Sequence, residues 1–250
     1  MPANTPLTTH DATRFVLLNP SHAGNVGATA RAMKVMGFSD LVLVAPRFDD
    51  VLSREETVAM ASGAADILVR ARIVTSLADA LDGISFACAT AMTPRDFGPP
   101  TFAPRERLPA LAAEVAAGAQ RVAFVFGGER FGMRNGDVWA CHACLSIPSA
   151  PEYGSLNLAQ AVQLIAYDWR CALGAWPVEP RTAATLPADT TAVQGALAHW
   201  QQTLVQIGFL DPAEPKRLMP RLQQLIQRAQ PTAEELHILR GIARAMAKAR

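Results

Sequence analysis

Residues 14–45 read RFVLLNPSHAGNVGATARAMKVMGFSDLVLVA and contain, in order, a strand, a glycine-rich loop, a helix and a second strand. Arg14–Asn19 and Leu41–Ala45 are short runs of large apolar residues, which predict buried strands. Between them, Val26–Met36 places small and apolar residues at helical spacing and predicts a helix. Two buried strands joined by a helix are typical of a parallel sheet.

The same alternation of strands and helices continues to about residue 150. Further strands are predicted at Ile73–Thr75, Ile84–Thr90, Arg121–Phe126 and Leu145–Ile147. Helices are predicted from Ser53 toward Arg70, after Ser76, at Pro104–Ala117 and at Ser155–Trp176. Ser53 with Glu56, and Ser76 with Asp79, have the spacing of helix caps. This order predicts an α/β fold with a mostly parallel sheet and helices on both faces.

The sequence changes in kind after this alternating region. Residues 177–191 are rich in proline, alanine and threonine without periodicity, which predicts a linker. Three helices are predicted beyond it, at Val193–Ile207, Glu214–Ala229 and Ala233–Ala249, the last with Thr232 and Glu235 as a capping box. We therefore expect an α/β domain over residues 1–176, a linker over 177–191 and a small all-helical extension over 192–250, called the helical extension below.

Charge distinguishes the two parts although it nearly cancels over the whole chain. The 250 residues include 23 lysines and arginines and 22 acidic residues, a net of +1, which by itself gives no sign of a nucleic-acid binder. Residues 191–250 hold eight basic and four acidic residues, a net of +4, and the first 190 hold 15 and 18, a net of −3. The neutral total thus hides a basic helical extension, which suits contact with phosphates.

The bulk composition excludes disordered and membrane-spanning proteins. With 50% hydrophobic and 18% charged residues, the chain has ample apolar material for a core. Its apolar runs are all well short of the ~18 residues needed to cross a bilayer. The first 14 residues, MPANTPLTTHDATR, lack the basic-then-apolar order of a secretory signal, so we expect neither export nor a membrane partner.

Four cysteines, Cys88, Cys141, Cys144 and Cys171, raise the question of a metal site. Cys141 and Cys144 have C-x-x-C spacing, but a second ligand pair at zinc-like distance is missing downstream. We therefore expect structural or incidental thiols, no metal, and the reducing setting of the cytoplasm.

Glycines and polar residues follow three of the predicted strands, at the sheet edge where α/β folds bind ligands. In the first loop, Gly24 and Gly27 would let backbone amides approach an anion, with Asn25 as a helix cap, or would form only a tight turn. Arg31 lies one helical turn beyond Gly27 on an otherwise small and apolar helix. Its charge therefore needs a partner or a ligand.

The second loop is rich in glycine, which exposes its backbone to a ligand. The third loop is rigid and leads into a helix. Residues 126–132, FGGERFG, place three glycines within six residues, and Glu129 there could accept a hydrogen bond or form only a solvated surface pair. Residues 147–159, IPSAPEYGSLNLA, place Ser155 as the predicted N-cap of the long helix and Asn157 in its first turn. Two prolines before them make this loop rigid.

These three segments resemble a known family when they are taken together. The stretches NPSHAGNVGATARAMKVMGF (residues 19–38), FVFGGERFGM (124–133) and IPSAPEYGSLNLAQAVQLIAYD (147–168) are similar to the three signature motifs of SpoU-type, or SPOUT-class, RNA 2′-O-ribose methyltransferases. Their order and spacing also match. LVQIGFL (204–210) and RLMPRLQQLIQRAQPTAEELHILRGI (217–242) resemble the C-terminal extension of one subgroup, which methylates cytidine or uridine at position 32 of the tRNA anticodon loop.

The resemblance implies a fold, a cofactor and partners. It implies that the C-terminal part of the α/β domain threads a trefoil knot. It implies S-adenosyl-L-methionine as methyl donor, S-adenosyl-L-homocysteine as product, a tRNA substrate and a homodimer. The residues that match the family's cofactor-contacting positions are Thr90, Ala91, Met92, Gly127, Ile147, Gly154, Ser155 and Leu156. Those that match its catalytic positions are Asn25, Arg31 and Glu129, with Ser155 and Asn157 able to position the ribose.

The chemistry and the charge pattern suggest roles for some of these residues. A ribose hydroxyl must lose its proton as it attacks the methyl group, so the site needs orientation and alkoxide stabilisation. We expect Arg31 to act as electrostatic stabiliser and phosphate clamp, since a guanidinium is a poor base. In the helical extension, two sets of cations share helix faces and are expected to bind RNA, namely Arg217, Arg221 and Arg228, and Arg240, Arg244 and Lys248.

Two other functions remain open at this point. A ribosomal-RNA ribose methyltransferase of the same superfamily would carry the same motifs and differ in the RNA that accepts the methyl group. A non-catalytic RNA-binding α/β module is the alternative of a different class. The presence of Arg31, Asn25 and Ser155 at the motif positions favours an enzyme.

Overall fold

Parallel strands form the centre of the α/β part. The computed structural model describes residues 12–93, 95–118, 120–179 and 186–249. Within these ranges the strands are β1 (Thr13–Leu18), β2 (Asp40–Val44), β3 (Arg72–Val74), β4 (Phe86–Thr90), β5 (Thr101–Phe102), β6 (Val122–Phe126) and β7 (Ala143–Leu145). They form one seven-stranded sheet in the order β3-β2-β1-β6-β4-β7-β5, with every pair parallel. The predicted parallel α/β sheet is confirmed.

Helices cover both faces of this sheet. They are α1 (Ala23–Val35), α2 (Glu55–Ala61), α3 (Ala65–Arg70), α4 (Leu77–Ala80), α5 (Pro104–Ala116), α6 (Asn135–Trp139) and α7 (Leu158–Ala172). One core contains side chains of α1, α3, α5 and α7, and the other contains side chains of α4 and α6. The strands supply both cores because their side chains alternate: Phe15 and Leu17 face one, Val16 and Leu18 the other.

Aromatic residues form the centre of the larger core. The ring of Phe15 lies 5.3 Å from that of Phe38 and 5.6 Å from that of Phe124, measured between centroids. Trp169 of α7 packs edge-on against Phe124 at 5.4 Å, and its indole N–H donates to the Thr13 hydroxyl at 2.9 Å. A buried indole with its N–H satisfied adds packing without the cost of an unpaired donor. These contacts fasten α7 to the middle of the sheet.

Several predicted helix boundaries were wrong. The helix expected from Ser53 to Arg70 is divided into α2 and α3 by a single 3-10 turn at Ser62–Ala64, where Ser62 has a φ of 50°. The Ser53 hydroxyl donates to the Asp50 carbonyl instead of accepting from the helix, so Ser53 and Glu56 form no capping box. The Ser76 cap of α4 is confirmed, because its hydroxyl accepts from the Asp79 N–H at 3.1 Å.

Two short elements are absent from the sequence predictions, β5 and α6. β5 is a two-residue edge strand that pairs only with β7, and α6 is a five-residue helix between β6 and β7. Both are too short to produce a readable period. The strand expected at Leu145–Ile147 is shifted to Ala143–Leu145, since Ala143 and Cys144 are buried and pair with β4, and Cys144 also pairs with β5.

The second compact unit begins at Pro177, and the first ends at Trp176. Its helices within the described residues are α8 (Thr190–Gln206), α9 (Leu218–Ala229) and α10 (Ala233–Lys248). α8 begins before the predicted Val193 because Asp189 caps it, accepting from the Ala192 N–H at 2.7 Å. The Thr232 and Glu235 capping box of α10 is confirmed. Part of the predicted linker, residues 180–185, lies outside the described residues.

A small apolar core holds the three helices of this unit together. It consists of Ala196, Leu197, Ile226 and Leu236. The Trp200 indole N–H donates to the Leu239 carbonyl at 3.1 Å and so joins α8 to α10. Across the described ranges of the whole chain, every helix is too short or too polar to span a bilayer.

Candidate active site

One cavity opens at the carboxyl ends of β4, β6 and β7. Its volume is about 320 Å³. Its floor includes the apolar side chains of Phe126, Leu145 and Leu158, which end β6, end β7 and begin α7. Its walls are the loops that follow the three strands. Ligands of parallel α/β sheets bind at this edge, so the cavity is the candidate active site.

Glycines let the wall of the cavity come close to its neighbours. A Cβ atom on Gly127 would overlap the backbone of Met133. A Cβ atom on Gly128 would lie 2.7 Å from the carbonyl oxygen of Asn19, in the loop after β1. Another residue at Gly128 would push the first and second loops apart, and another residue at Gly127 would open the second loop itself. The glycine-rich sequence after β6 therefore serves close contact between the first and second predicted loops.

The structure brings all eight predicted cofactor-contacting residues to this cavity. Thr90, Ala91, Met92, Gly127, Ile147, Gly154, Ser155 and Leu156 all line it. The Thr90 hydroxyl donates to the Val125 carbonyl at 2.7 Å, and the Ala91 N–H donates to the Leu145 carbonyl at 3.1 Å. These two residues thus hold the strand ends in place. Contact of the eight residues with a cofactor stays a prediction.

Glu129 connects the three loops through hydrogen bonds. Its Oε2 accepts from the backbone N–H and the hydroxyl of Ser21, both at 2.8 Å. Its Oε1 accepts from the side-chain amide of Asn25 at 2.7 Å and from the His22 N–H at 3.3 Å. The Asn25 side-chain oxygen in turn accepts from the Asn157 amide at 2.9 Å. Four donors therefore occupy one carboxylate, and a single network spans all three predicted motifs.

Asn157 is the residue that begins α7. Its Oδ1 accepts from the N–H groups of Ala159 at 3.0 Å and Gln160 at 3.4 Å, which is the geometry of an N-cap. The predicted N-cap, Ser155, was therefore wrong, and Asn157 lies before the first turn instead of within it. Ser155 is exposed at the cavity wall. Its hydroxyl stays open to the site because the amide of Asn157 supplies the cap.

The first loop also differs from the prediction. α1 begins at Ala23 with His22 as its N-cap residue, so Asn25 lies inside the helix and does not cap it. A Cβ atom on Gly27 would overlap the backbone carbonyl of Thr57 in α2, and both Gly24 and Gly27 are buried. These glycines therefore allow α1 and α2 to pack closely, and this packing explains them without a bound anion.

The environment of Glu129 keeps its carboxylate ionised. Burial raises the pKa of Glu129, but the hydrogen bonds from Asn25 and Ser21 outweigh burial and lower the pKa below its ordinary value of 4.5. Donors stabilise the charged form of a carboxylate, and here they occupy both oxygens. At neutral pH this group is a saturated acceptor with little capacity to take up a proton.

Arg31 is exposed on the same strip of α1 as Asn25. Asn25, Ala28 and Arg31 recur every three residues and are the less buried positions of this stretch of the helix. A rise of ~1.5 Å per residue separates the Cα atoms of Asn25 and Arg31 by about 9 Å along the axis. Arg31 forms no hydrogen bond or ion pair with the residues that the structure describes, and it does not line the cavity. Its charge is available to a ligand.

Sequence reasoning missed three polar residues at the site, Ser21, Arg95 and Arg130. Ser21 binds Glu129, and both arginines line the cavity. Ser21 lies within the first quoted motif, next to Pro20, so its position beside the site could have been predicted. Arg95 and Arg130 carried no signal of their own, because an isolated arginine in a loop is usually a solvated surface residue.

The cysteine residues of the C-x-x-C segment are used for packing. Cys141 and Cys144 are buried free thiols, and burial raises the pKa of the Cys141 thiol to about 12. His142 accepts a hydrogen bond at Nδ1 from the Ala87 N–H at 3.0 Å. Among the described residues no cluster of three or more histidine, cysteine or acidic side chains is arranged to hold a metal ion.

The cations predicted to bind RNA are mostly exposed on the second unit. Arg221, Arg228, Arg244 and Lys248 are exposed on α9 and α10, and Arg217 is exposed just before α9. Arg240 differs: it is half-buried, and a Cβ atom on Gly195 of α8 would lie 2.6 Å from its guanidinium. Within the described part of the chain, none of the six forms an ion pair.

Comparison with known proteins agrees with this architecture. The sequence model of the SpoU rRNA Methylase family matches residues 12–167, and that of the tRNA methyltransferase TrmJ C-terminal domain matches residues 191–250. The chain is 42% identical over 241 residues to the tRNA (cytidine/uridine/adenosine-2'-O-)-methyltransferase TrmJ of Pseudomonas aeruginosa, covering 93% of this chain and 92% of that one. It is 41% identical to the TrmJ of Pectobacterium atrosepticum, over 95% of this chain and 98% of that one.

Solved structures give the same result. The crystal structure of TrmJ from Z. mobilis ZM4 superposes with a TM-score of 0.75 at 28% identity, and the match covers 94% of this chain and 99% of that one. A probable methyltransferase from Bordetella pertussis is 46% identical with a TM-score of 0.62, over 66% of this chain and 98% of its own. From the matched catalytic part, the matched C-terminal domain and these relatives, we conclude that the chain belongs to the SpoU methylase family, in the group that carries the TrmJ C-terminal domain.

Proposed function

We propose that the chain transfers a methyl group from S-adenosyl-L-methionine to the ribose 2′-hydroxyl of cytidine or uridine at position 32 of the tRNA anticodon loop. The observation that carries the proposal is the network of Asn25, Glu129 and Asn157 beside the glycine-lined cavity, with Arg31 unpaired on the same helix. Helix α1, the loop after β6 and the start of α7 supply these groups, in a chain whose relatives are named as tRNA 2'-O-methyltransferases.

The cavity suits S-adenosyl-L-methionine by its shape and chemistry. Phe126, Leu145 and Leu158 offer an apolar floor for the adenine, and the glycine-rich walls offer backbone groups for its polar edge. Gly154 supports this fit, since a Cβ atom there would lie 2.7 Å from the Ser149 hydroxyl and narrow the cavity. When bound, the donor supplies a methyl group on a sulfonium, and S-adenosyl-L-homocysteine remains.

Arg31 is the residue that we assign to the reacting hydroxyl. A 2′-hydroxyl that attacks a methyl group develops negative charge, and a nearby guanidinium stabilises that charge without taking up the proton. The proton passes to solvent or to a phosphate oxygen of the RNA. Ser155 lines the cavity wall and Asn157 begins α7, and we assign both to the orientation of the ribose. The role of Arg31 is therefore electrostatic.

Glu129 is better described as a positioning residue than as a base. Both of its oxygens accept hydrogen bonds from Ser21, His22 and Asn25, and its lowered pKa disfavours proton uptake. Its contribution is to hold Asn25, and through Asn25 to hold Asn157 at the start of α7. Preorganisation of this kind keeps the groups that meet the ribose in one geometry.

The exposed cations of the second unit are assigned to the tRNA backbone. Phosphate contacts by arginine and lysine need accessible side chains without competing acidic partners, and five of the six predicted residues fulfil this condition. We accordingly propose residues 1–176 as the methyltransferase domain, 177–191 as the linker and 192–250 as the tRNA-binding helical extension. Aromatic residues for base stacking are scarce there, so the proposal favours recognition of backbone and shape.

Three further properties of the family complete the proposal: the trefoil knot, the homodimer and the cytoplasmic location. Support for the knot comes from β7, which lies between β4 and β5 and leads into the third wall of the cavity. Support for the homodimer comes from exposed apolar side chains on α1 and α7, at Val35, Leu164 and Tyr167. Light scattering on the purified chain tests the dimer, with a monomeric mass as the contradicting result.

Labelled methyl transfer to defined RNAs tests the proposed activity. The full-length chain is incubated with radiolabelled S-adenosyl-L-methionine and a tRNA transcript that has cytidine at position 32. We expect label in this RNA and none in a matched transcript with a single 2′-deoxycytidine there, because the acceptor oxygen is missing. Label that persists in the deoxy transcript would place the methyl group elsewhere.

The same assay separates the two alternative functions. A ribosomal-RNA methyltransferase would label ribosomal-RNA fragments and leave the tRNA transcript unlabelled. A non-catalytic RNA-binding module would bind tRNA and label neither. Mass spectrometry of the labelled product then locates the modified nucleotide.

A further inference from the structure

We propose that Arg95, in the loop after β4, binds the carboxylate of the amino-acid end of S-adenosyl-L-methionine. The inference rests on the proposed function, because it concerns how the same cavity holds its methyl donor. It adds a residue to the site that the sequence motifs do not contain. The chemical class that Arg95 recognises is an α-amino-acid carboxylate.

Arg95 has unused hydrogen-bonding capacity within the cavity. It is half-buried and lines the cavity wall. Its Nε atom is buried without a hydrogen-bond partner, and its Nη1 donates only to the Thr93 carbonyl of its own loop at 3.2 Å. No acidic side chain forms an ion pair with Arg95 in the part of the chain that the structure describes. The Nη2 atom of Arg95 forms no hydrogen bond with the described residues, so the guanidinium keeps donors for a ligand in the cavity that it lines.

The charges around the cavity favour an anionic group. Its charged lining residues are Arg95, Glu129 and Arg130. Glu129 accepts four hydrogen bonds from Ser21, His22 and Asn25. Its carboxylate oxygens are therefore occupied and do not pair with the two arginines. The positive charge of the cavity wall is thus not compensated by a free acidic group of the lining.

The methyl donor has a single anionic group, and the position of this group determines how the donor is oriented in the cavity. S-adenosyl-L-methionine carries a sulfonium, an ammonium and a carboxylate. Arginine repels the first two and forms paired hydrogen bonds with a carboxylate through its planar fork. A donor in this cavity is therefore expected to place its carboxylate at Arg95 and its sulfonium away from it.

A buried Nε atom without a partner is not unique to Arg95. Arg121 and Arg240 also have a buried Nε without a partner, yet neither lines the cavity. Arg121 lies just before β6 in the same unit and so provides a matched control. What distinguishes Arg95 is the combination of an unpartnered nitrogen with a place in the cavity wall.

Two donors that differ in the carboxylate test the proposal. Calorimetry on the full-length chain compares the binding of S-adenosyl-L-methionine with that of its decarboxylated form, which keeps the adenosine, sulfonium and amine. For Arg95→Met we expect about tenfold weaker binding of S-adenosyl-L-methionine and an unchanged dissociation constant for the decarboxylated form. Arg95→Lys should recover part of the affinity because it keeps the charge. Arg121→Met should bind both ligands as the unchanged chain does.

The other results each overturn the proposal in a different way. Equal weakening of both ligands in Arg95→Met would mean that Arg95 only shapes its loop. Unchanged binding of both, with weaker tRNA binding, would assign Arg95 to a phosphate of the RNA. A selective effect in Arg130→Met and none in Arg95→Met would assign the carboxylate to Arg130. If the unchanged chain binds neither ligand, the proposed function itself fails.

Discussion

The loops at the active-site edge and the helical extension both carry polar residues, but they hold them in opposite ways. At the active-site edge, Glu129, Asn25 and Asn157 are linked by hydrogen bonds of 2.7 and 2.9 Å that join α1, the loop after β6 and the start of α7. On α9 and α10, cations such as Arg221 and Arg244 are exposed and form no ion pair within the described residues. The hydrogen bonds at the active-site edge hold side chains in one geometry. The exposed cations of the helical extension instead provide positive charge for a ligand.

This difference predicts two kinds of mutational effect. A group that acts on the reacting atoms, or that holds such a group in place, contributes to the transition state, so its loss lowers kcat. A set of exposed cations attracts the RNA in the ground state and the transition state alike, so its loss raises KM and changes the dependence on salt. The four predictions that follow test this division in order of decreasing effect.

Arg31→Ala is expected to have the largest effect. If Arg31 stabilises the developing alkoxide as proposed, loss of its charge should lower kcat by a factor on the order of 1,000, while the affinities for S-adenosyl-L-methionine and tRNA stay within about threefold of the unchanged chain. Single-turnover methylation gives the rate, and calorimetry and filter binding give the affinities.

Lys34→Ala is the matched control for this variant. Lys34 is also a cation on α1, but its ammonium binds Asp66 at 2.6 Å and the Gly63 carbonyl at 2.8 Å. Its removal should leave the rate nearly unchanged. An equal loss of rate and of tRNA affinity in Arg31→Ala would show that Arg31 contacts the RNA backbone only.

Neutralising the exposed cations of the helical extension should have the next largest effect. Replacing Arg217, Arg221, Arg228, Arg244 and Lys248 by glutamine should weaken tRNA binding by about 10- to 100-fold near physiological salt and leave kcat at saturating tRNA within about twofold. The slope of log affinity against log salt should also become shallower, because fewer counterions are released. Unchanged tRNA affinity would remove the helical extension from RNA binding.

The sequence was sufficient for the sheet and for the residues around the cavity, because both depend on local patterns. Runs such as Arg14–Asn19 and Arg121–Phe126 overlap β1 and β6 almost entirely, since a buried strand is one continuous apolar run. The eight cavity residues were found through motif positions alone. Five of them end or closely follow a strand, and the other three, Gly154, Ser155 and Leu156, lie just before α7.

The sequence was insufficient where a residue's role depends on a partner far along the chain. The sequence predicts that Gly27 belongs to a ligand-binding loop. In the structure it is needed because any Cβ atom there would overlap the backbone carbonyl of Thr57 in α2. Ser155 and Asn157 are equally good helix caps by composition, and the bond from Asn157 to Asn25 decides between them. Contacts of this kind join residues that are 30 or 132 positions apart, so local spacing does not reveal them.

Ser21→Ala tests whether the network at the active-site edge acts through geometry. The variant removes the hydroxyl that donates to Glu129 at 2.8 Å and keeps the backbone donor. We expect kcat to fall about tenfold with an unchanged KM for tRNA, and Ser21→Thr to restore most of the rate because its hydroxyl can donate again. A purely structural role would lower the melting temperature without this split between kcat and KM.

The pH dependence of stability gives a second readout for the same variant. The pKa of Glu129 is lowered in the folded chain, so Glu129 contributes stability above its ordinary pKa of 4.5, and this contribution is lost as the pH falls through the folded value. Loss of one donor shifts the folded pKa of Glu129 upward. The stability difference between the unchanged chain and Ser21→Ala should therefore be larger at pH 7 than at pH 3. A constant difference would mean that Ser21 does not act through Glu129.

The smallest expected effect distinguishes two arginines of the same helix. Arg240 and Arg244 are one turn apart on α10, but Arg240 is half-buried beside Gly195 of α8 whereas Arg244 is exposed. Arg244→Gln should weaken tRNA binding about threefold and leave the melting temperature unchanged, because it removes one phosphate contact. Arg240→Gln should lower the melting temperature by about 2–4 °C through lost packing of its aliphatic stem.

The effect of Arg240→Gln on tRNA binding decides how far the division between the two regions extends. If tRNA binding is unchanged, Arg240 belongs to the packing of α8 against α10, and the RNA-binding face consists of the exposed cations alone. If tRNA binding weakens as much as in Arg244→Gln, the guanidinium of Arg240 reaches the RNA from its packed position. Gly195→Ala would then weaken tRNA binding too, because its Cβ atom displaces that guanidinium while the charge of the helix stays the same.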